Sequence, residues 1–538
     1  MTLLLALAVL FSPNRVWGQP PNFIEEEAAY QQALQYIEQH RKNNVTITVL
    51  DQTGRPMSNI NVSYQQTSHD FMFGFWGTGG TLPADNDTQG LAWYSHLCRA
   101  VNGTIILHED AWNVREPEPS VFQWHADDMR YQQILNLCSN ARIVVLFDSN
   151  AEIPDWVHAN NLTDPAAFSL YKQDLYTYIH QYVERYGSRV SVWLTENELN
   201  EDPDFTLFGG LERGLEVDQV EIKAIRDVIP HAQILFQAGG SSSYIETLGR
   251  GPIDFAQKAL AAGLQVDGIS IEAYPRASDG FVHTPVFFRD LVQRARLTLD
   301  EPVLIQETGY PSQGCPGCAS QWAAWDGVFD EATESAWVKY MTAIPFGTED
   351  AIGVNFFSAI DAAYARSPAP STDPWAYMGL FTLGRTKLAY NVYLQQIRTF
   401  TTLSSNITDA EGSISFRGFA GYYSLTVTAS KGVSFPTFGP PVYQLSLHIH
   451  VQQLSNSTCV GQQNFRIAVT MQPTVSDTVM QSCINPTMSS LASSSTSSSS
   501  QLPLTVQYPW QGSIGEIVLA AVVVVILGSI FVSRRRKS

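Results

Sequence analysis

The sequence predicts an α/β protein built on a (β/α)8 TIM barrel, with an accessory β-sandwich-like region and a C-terminal single-pass transmembrane helix. Eight strand-like runs alternate with helix-like stretches, and two of the runs lead into acids that lie far apart in the chain, Glu198 and Glu307. A long apolar segment followed by a basic tail lies near the C-terminus. Because a parallel barrel delivers the carboxyl end of every strand to one face, it is a fold that brings such distant acids together.

The predicted strands are short, mainly apolar runs at residues 69–77, 103–109, 142–148, 191–198, 233–239, 267–275, 302–309 and 351–359. Helical spacing of apolar residues predicts helices at 24–42, 166–186, 217–228, 255–262, 286–297 and 319–342, with 387–400 as the closing helix. A doubly wound open sheet is the alternative, but it usually carries a Gly-rich phosphate loop after its first strand. The segment Gly77-Thr-Gly79-Gly80 lacks that spacing, so the closed barrel is favoured.

The chain outside the barrel divides by composition. Alternating apolar residues at 44–64 predict a β-hairpin around the turn at 51–54, and further strand-like runs after Thr402 predict a second β-rich region. The predicted organisation is a signal peptide (1–18), N-terminal helix and β-hairpin (24–68), barrel (69–400), C-terminal β-rich region (401–485), Ser/Thr-rich stalk (486–512), transmembrane helix (513–533) and basic cytoplasmic tail (534–538).

This organisation predicts a cell-membrane protein whose main body is extracellular. Seven Asn-X-Ser/Thr sequons fit that location, at Asn44, Asn61, Asn86, Asn102, Asn161, Asn406 and Asn456. The formal net charge of −19 disfavours a nucleic-acid partner, because nucleic-acid binding requires a basic surface. The sequence does not indicate an oligomeric state.

The six cysteines predict disulfides in an oxidising compartment. Cys98 and Cys138 are expected on neighbouring helices, Cys315 and Cys318 share one loop, and Cys459 and Cys483 lie in the C-terminal region. Order alone leaves all pairings open. The spacing of Cys315 and Cys318 also fits half of a redox or zinc site, but no second such pair accompanies it, so no metal is expected.

The two strand-terminal acids suit one reaction. Retaining glycosidases use two carboxyl groups about 5–5.5 Å apart, one to protonate the leaving group and one to attack the anomeric carbon. Glu198 and Glu307 fit these roles, and Asn197 is placed to bond the sugar 2-hydroxyl. Glu196 lies on the same face as Glu198 if the strand continues, since side chains alternate with period two.

Several segments resemble family 10 glycoside hydrolases, the endo-β-1,4-xylanases. Trp193-Leu-Thr-Glu-Asn197-Glu198 is similar to that family's Trp-Asp-Val-Val-Asn-Glu, and residues 112–122 resemble its Trp-x-x-x-Glu-Pro-x-x-Gly-x-Phe. Ile153-Pro-Asp-Trp-Val157 and the closing Lys387-Leu-Ala-Tyr390 also have counterparts. The likeness covers about residues 25–430 and implies a retaining hydrolase of a β-linked polysaccharide that needs no cofactor. It also implies that Glu198 is the acid/base and Glu307 the nucleophile.

The departures from that family concern sugar binding. Ala111 stands where the family has a lysine, and Val145-Leu-Phe-Asp-Ser-Asn150 lacks both family histidines. The segments at Glu272-Ala-Tyr274-Pro275 and Glu307–Pro311 are closer to other members of the same barrel clan, such as the endo-β-galactanases. The resemblance therefore does not indicate xylan as the substrate of this chain.

Five residues are expected to bind substrate, and no metal ligand is expected. The substrate-binding candidates are Asn197, Tyr274, Trp112, His108 and Glu109. An alternative function is a non-catalytic carbohydrate-binding surface protein that keeps the scaffold, which Ala111 and the absent histidines favour. A purely structural wall-associated protein is disfavoured, because it would have no need of paired acids.

Overall fold

A computed structural model gives the structure of the chain over most of its length. It describes residues 23–51, 53–76, 95, 98, 103–109, 111–138, 141–157, 162–201, 206–240, 249–275, 282–314, 325, 328–361, 374–382, 384–429, 444–451, 462–468 and 479–484. The predicted signal peptide, stalk, transmembrane helix and basic tail lie outside these residues. Within the described part of the chain, no helix is both long and apolar enough to cross a membrane.

The strands, in chain order, are β1 (Lys42–Leu50), β2 (Ile60–His69), β3 (Met72–Trp76), β4 (Thr104–Glu109), β5 (Arg142–Phe147), β6 (Val190–Leu194), β7 (Ile234–Gln237), β8 (Ile269–Ala273), β9 (Val303–Thr308), β10 (Ala351–Phe356), β11 (Leu403–Ile407), β12 (Ser413–Phe419), β13 (Gly421–Ala429), β14 (Gln444–Val451), β15 (Gln462–Ala468) and β16 (Val479–Ile484). Strands β3 to β10 form a closed barrel in sequential order, and β10 pairs with both β9 and β3 in parallel. The eight predicted strands and the (β/α)8 barrel are thereby confirmed.

The helices are α1 (Ile24–His40), α2 (Trp112–Arg115), α3 (His125–Leu137), α4 (Pro165–Tyr186), α5 (Leu211–Val228), α6 (Pro252–Ala261), α7 (Pro285–Leu299), α8 (Glu331–Phe346) and α9 (Leu388–Thr399). Local sequence sets several of their starts. The Asp164 carboxylate accepts from the backbone N–H groups of Ala166 and Ala167 at the start of α4, and Asp330 caps α8 in the same way. The helix predicted at 319–342 begins later than expected, at Glu331.

Apolar side chains from alternate strand positions fill the barrel. The shared interior cluster comprises Met72, Trp76, Ile106, Val144, Leu146, Val192, Leu194, Leu235 and Leu304. Gly74 is required in this interior, because a Cβ there would lie 2.1 Å from the Thr104 carbonyl oxygen. The interior is therefore a packed core, and the rim at the carboxyl ends of the strands is left for a site.

The fourth barrel strand is shorter than predicted. β6 ends at Leu194, whereas the sequence predicts a strand to Glu198. Residues 197–200 form a turn, and Glu198 has a positive φ of 48°. That conformation cannot continue a strand, so the period-two expectation that Glu196 and Glu198 share one face is wrong.

The described chain forms two compact units. One contains α1 to Arg41 together with Phe71–Thr401, and the other contains Lys42–Asp70 together with the strands after Thr402. Helix α1 therefore belongs to the barrel unit, while β1 and β2 join the C-terminal strands.

The second unit is a sandwich of two four-stranded sheets. One sheet has the order β12-β1-β15-β16 and the other β11-β2-β13-β14. The predicted β-hairpin is wrong, because β1 pairs with β12 and β15 whereas β2 pairs with β11 and β13. Each strand turns its alternate apolar residues, such as Ile47 and Val62, into one shared core from opposite sheets. Alternation fixes which face is buried but not which strand lies alongside.

A buried cluster of charges ties β4 to the helices outside the barrel. The Glu109 carboxylate lies 2.7 Å from Arg115 Nη1 and accepts a 2.6 Å hydrogen bond from the Tyr178 hydroxyl. Arg115 also bonds both carboxylate oxygens of Asp127, at 2.6 and 2.8 Å, and Arg130 bonds the same carboxylate at 2.6 Å. The negative charges of the two acids and the positive charges of the two arginines therefore compensate each other in this buried cluster.

A second buried charge cluster surrounds a single cation. Lys387 Nζ bonds Asp361 at 2.8 Å and the Gly379 carbonyl at 2.6 Å, and it lies 2.7 Å from Glu334. It thereby fixes the segment after β10 to the starts of α8 and α9. Burial raises the pKa of Glu334 well above its usual value, and the charge of Lys387 opposes this.

One disulfide is described, and it settles one pairing that the sequence leaves open. Cys98 and Cys138 are joined, which ties the segment before β4 to the end of α3. Cys315, Cys318 and Cys459 lie outside the described residues, and Cys483 lies in β16. No group of side chains able to hold a metal ion is found among the residues that the structure describes.

The buried and exposed ion pairs of α3 are expected to differ strongly in their contribution to stability. Asp127→Ala leaves Arg115 and Arg130 buried with one carboxylate partner fewer, so we expect the free energy of unfolding to fall by about 3–5 kcal/mol. The neighbouring Asp128 pairs with Arg185 at the exposed surface, and Asp128→Ala should cost less than about 1 kcal/mol. Denaturant unfolding of the two variants measures the difference; equal losses would contradict the assignment.

Candidate active site

The carboxyl ends of the eight barrel strands present one ring of side chains. In barrel order they are Trp76, His108, Asp148, Asn197, Gln237, Glu272, Glu307 and Phe357, each at the end of its strand or in the turn that follows. Both predicted catalytic acids belong to this rim, with Glu198 next to Asn197. A barrel of parallel strands places functional groups at this end, because each strand continues here into the loop that follows it.

Gln237 links the turn after β6 to the next strands. Its side-chain Nε2 donates to Asn197 Oδ1 at 3.0 Å and to Glu272 Oε1 at 3.4 Å. Its Oε1 accepts a 3.2 Å hydrogen bond from the backbone N–H of Glu198. Gln237 is fully buried, so this single amide fixes the positions of Asn197 and Glu198 relative to β7 and β8.

Glu307 reaches the rim because β9 carries a bulge. The register with β8 shifts so that Ile305 lies opposite Ile271 while Glu307 lies opposite Glu272, and Gln306 is the additional residue. The next residue, Thr308, turns outward, where its hydroxyl accepts from the Trp337 indole of α8. Because side chains alternate, Glu307 faces the barrel axis beside Glu272.

Glu198 is half-buried in the turn that follows β6. A positive φ at a non-glycine residue is uncommon and costs on the order of 1–3 kcal/mol, so the surrounding bonds must stabilise it. The Gln237 bond to the Glu198 backbone is one of these. The Glu198 side chain is therefore attached to a backbone conformation that a glutamate does not favour by itself.

His108 faces the rim from the second barrel strand. Its Nε2 lies 3.0 Å from Asp148 Oδ2, and its ring lies 5.2 Å from the Trp76 ring. The Trp76 indole in turn donates to the Gln306 carbonyl oxygen at 3.1 Å. This side of the rim is thus connected to the strand that carries Glu307.

Two of the other predicted substrate-binding residues, Glu109 and Trp112, lie around Tyr178 and not on the rim. Glu109 belongs to the buried charge cluster outside the barrel, and Trp112 is completely buried against Tyr178 with its indole donating to Glu116. In these positions Glu109 pairs with a buried arginine and Trp112 is part of the packing. Tyr274 follows β8 and packs with Met378, next to Phe357. Asn197 and His108 lie on the rim.

Sequence reasoning missed Gln237 and Asp148 as members of the site. Asp148 ends the run predicted at 142–148 and Gln237 lies near the end of the run predicted at 233–239, so a polar residue late in an apolar run was the available signal. Glu272 carried the same signal, ending a strand beside a tyrosine. Their importance depends on contacts between strands, which no single run reveals.

Comparison with known proteins gives similarity at the level of solved structures. No family model matches the chain, and no curated protein matches it. Similar solved structures include the exo-β-1,4-mannosidase Op5Man5 from Opitutaceae bacterium strain TAV5 (18% identity, TM-score 0.43, covering 65% of this chain and 61% of that one). A family 39 glycoside hydrolase from Bacteroides cellulosilyticus WH2 has 12% identity and a TM-score of 0.45, covering 74% of this chain and 94% of that one.

Xylanase B from Clostridium stercorarium F9 is similar at 14% identity and a TM-score of 0.43, covering 60% of this chain and 96% of that one. The chain spans less than two thirds of the length of the mannosidase. At identities this low, the similarity says nothing about activity.

The loop after β9 should tolerate a methyl group at one glycine and not at another. A Cβ at Gly309 would lie 2.8 Å from the Phe357 carbonyl oxygen and 2.9 Å from Met378 Sδ, whereas a Cβ at Gly314 meets no atom of the described residues within 4 Å. We expect Gly309→Ala to destabilise the protein by about 1–3 kcal/mol through overpacking, and Gly314→Ala to change its stability by less than about 0.5 kcal/mol. Thermal unfolding measures both, and a Gly309→Ala protein as stable as Gly314→Ala would contradict this packing.

Proposed function

We propose that the chain is a retaining glycoside hydrolase that cleaves a β-linked polysaccharide, with Glu307 as nucleophile and Glu198 as acid/base. The observation that carries the proposal is a set of hydrogen bonds on the rim. Gln237 bonds Asn197, the Glu198 backbone and Glu272, and Glu307 lies opposite Glu272 on the next strand. It supplies two acids on different strands, held in relation to each other, at the open end of a barrel.

The reaction proceeds in two steps. Glu307 attacks the anomeric carbon while Glu198 donates its proton to the leaving oxygen, which gives a covalent glycosyl ester on Glu307 and releases the first product. Glu198, now ionised, takes a proton from water, and the resulting oxygen nucleophile displaces Glu307 from the anomeric carbon. Two inversions retain the configuration, and neither step requires a metal or cofactor.

The positions of the acids support these roles. Glu307 lies near the end of β9, where this strand pairs with β8 on one side and β10 on the other, which suits a group that must form a bond in a fixed direction. Glu198 lies half-buried in a turn, where it can reach a leaving group at the edge of the site. A proton donor must be neutral before the bond breaks, and bound sugar that excludes water favours this.

Asn197 is oriented to recognise the sugar next to the scissile bond. Its Oδ1 accepts from Gln237, which leaves the Nδ2 donors of the amide to turn toward a substrate hydroxyl. A hydrogen bond to the 2-hydroxyl that strengthens in the transition state supplies several kcal/mol in such enzymes. His108 and Tyr274 are further candidates for substrate contact, whereas the buried Glu109 and Trp112 have no part in the proposal.

A non-catalytic carbohydrate-binding protein is the second candidate function. It is favoured by Ala111, which replaces the lysine of the family 10 pattern and caps the short helix α2 without a side-chain hydrogen bond. Release of reducing sugar from a panel of β-linked polysaccharides separates the two functions. Binding without release by a folded protein would favour this second candidate and would overturn the hydrolase.

The two acids should respond differently to removal. Glu307→Ala lacks the attacking group, so we expect turnover of all substrates to fall by a factor on the order of 10⁴ or more. Glu198→Ala lacks the proton donor, so turnover should fall strongly on natural glycosides but much less on aryl glycosides with a good leaving group. Steady-state kinetics on both substrate types measures this contrast.

Azide distinguishes the roles further. It should accelerate breakdown of the glycosyl-enzyme in Glu198→Ala and give a product of retained configuration, because the variant still forms the covalent intermediate. In Glu307→Ala, azide can only replace the nucleophile and give an inverted product. If the two variants exchange these behaviours, the roles of the acids are exchanged.

We also propose that the protein is held at the cell membrane by the apolar segment 513–533, with the barrel outside the cell. The support is the sequence alone: an apolar run ahead of Arg534-Arg-Arg-Lys537. A chain ending at residue 512 should be secreted into the medium, whereas the full chain should sediment with membranes. Release of the full chain by high salt would contradict an integral anchor.

A further inference from the structure

The turn that carries Glu198 is fixed from behind by a second glutamate. Glu196 is completely buried, and its carboxylate accepts from the backbone N–H groups of Ser149 and Asn150, both at 3.2 Å. It also accepts from the Ser149 hydroxyl at 2.5 Å and from Asn150 Nδ2 at 2.9 Å. Four donors from the turn after β5 therefore converge on one side chain of the turn after β6.

Two more acids lie against Glu196 on helix α5. Glu221 and Asp218 are fully buried, and the Ser149 hydroxyl that donates to Glu196 also lies 3.4 Å from Glu221 Oε1. Asp218 lies beside Thr195 and Glu196. The charges with the largest effects on the pKa values of these three acids are those of the acids themselves and of Asp148. His108 contacts Asp148 from the barrel side. On α4, the helix packed beside α5, Lys172 and Tyr176 bond Glu216 and Asp227 instead.

Three carboxyl groups buried against one another cannot all be ionised, because each negative charge raises the pKa of its neighbours. Four N–H and O–H donors point at Glu196, and such donors favour its ionised form. Glu221 and Asp218 must then be the members that keep their protons. Burial raises the pKa of Glu221 and of Asp218 well above the usual values. Burial also raises the pKa of Glu196, but the neighbouring Glu221 and the hydrogen bonds from Ser149 and Asn150 oppose this shift.

We infer that Glu196 is the ionised member of a buried three-carboxyl cluster and is a positioning residue for Glu198. Its carboxylate ties the turn after β5 to the turn after β6 through four hydrogen bonds, and the protons on Glu221 and Asp218 leave the cluster with one negative charge. Together with Gln237, which bonds the Glu198 backbone from the other side, this holds Glu198 at its positive φ. The role in catalysis rests on the proposed function, whereas the protonation pattern does not.

The cluster makes the turn sensitive to alkali. An acid whose pKa is raised by folding stabilises the protein fully below its unfolded pKa of about 4.3, and this contribution is lost as pH rises through the folded value. When Glu221 loses its proton, two negative charges face each other in a site without water. Stability and the placement of Glu198 should therefore decline together on the alkaline side.

Glu221→Gln and Glu196→Gln form a matched pair of nearly isosteric changes. A glutamine at 221 cannot ionise, so we expect the melting temperature at neutral pH to be kept and its alkaline decline to become shallower. A glutamine at 196 turns an amide N–H₂ toward groups that are themselves donors, so we expect a lower melting temperature at every pH. Glu216→Gln, a surface acid of the same helix, is the control.

Infrared spectroscopy of the folded full-length protein reports the protonation directly. The wild type should show a band of buried protonated carboxyl groups at neutral pH, which Glu221→Gln weakens and Glu196→Gln does not. If the band weakens in Glu196→Gln instead, or if Glu221→Gln leaves both the band and the alkaline decline unchanged, the inference is overturned. Neither readout depends on finding a substrate.

Activity tests the positioning role. Because misplacing a reacting group by about 1 Å can cost on the order of 100-fold in rate, we expect Glu196→Gln to lower kcat by about 10–100-fold on natural glycosides with little change in KM. The loss should be much smaller on aryl glycosides with a good leaving group, which need no proton from Glu198. An equal loss on both substrate types would overturn the link to Glu198, while inactive wild-type protein would count against the proposed function only.

Discussion

Closure of the parallel barrel is the constraint on which the rest of the barrel unit depends. Eight strands share one direction, so their last residues meet at one rim and their apolar residues fill the space below it. The chemistry of the molecule is then decided by where each strand stops. β6 stops early, which leaves Glu198 in a turn, and β9 carries a bulge, which aligns Glu307 with Glu272. Both acids occur where regular strand geometry is interrupted.

The eight barrel strands could be predicted because each is an apolar run buried on both faces, between helices that repeat with a different period. The position at which β6 ends could not be predicted. Residues 190–198 look like one strand, and what ends it is the burial of Glu196 against Glu221 and Asp218 of α5. In the same way, the pairing of β1 and β2 with strands from the far end of the chain is invisible in their own alternation. Local pattern determines which face is buried, and distant partners determine where an element ends and what it touches.

The barrel unit keeps buried acids in three different ways. Glu109 and Asp127 are neutralised by arginines, and Glu334 and Asp361 share a single lysine. In the cluster of Glu196, Glu221 and Asp218, protons on Glu221 and Asp218 take the place of cations. The first arrangement holds its charge over the whole physiological range, since arginine stays protonated, whereas the third depends on pH. The pH-dependent arrangement is the one that lies directly behind the proposed acid/base.

The pairing of the sandwich strands has a consequence for synthesis of the chain. β1 and β2 leave the ribosome before the barrel, but β11 to β16, which complete both of their sheets, follow it. At about 5–20 residues per second, the two early strands wait on the order of tens of seconds with open edges. Unpaired strand edges bind other strands and aggregate. Newborn chains therefore depend on a chaperone or on rapid folding of the barrel, and truncation after the barrel leaves the N-terminal strands without partners.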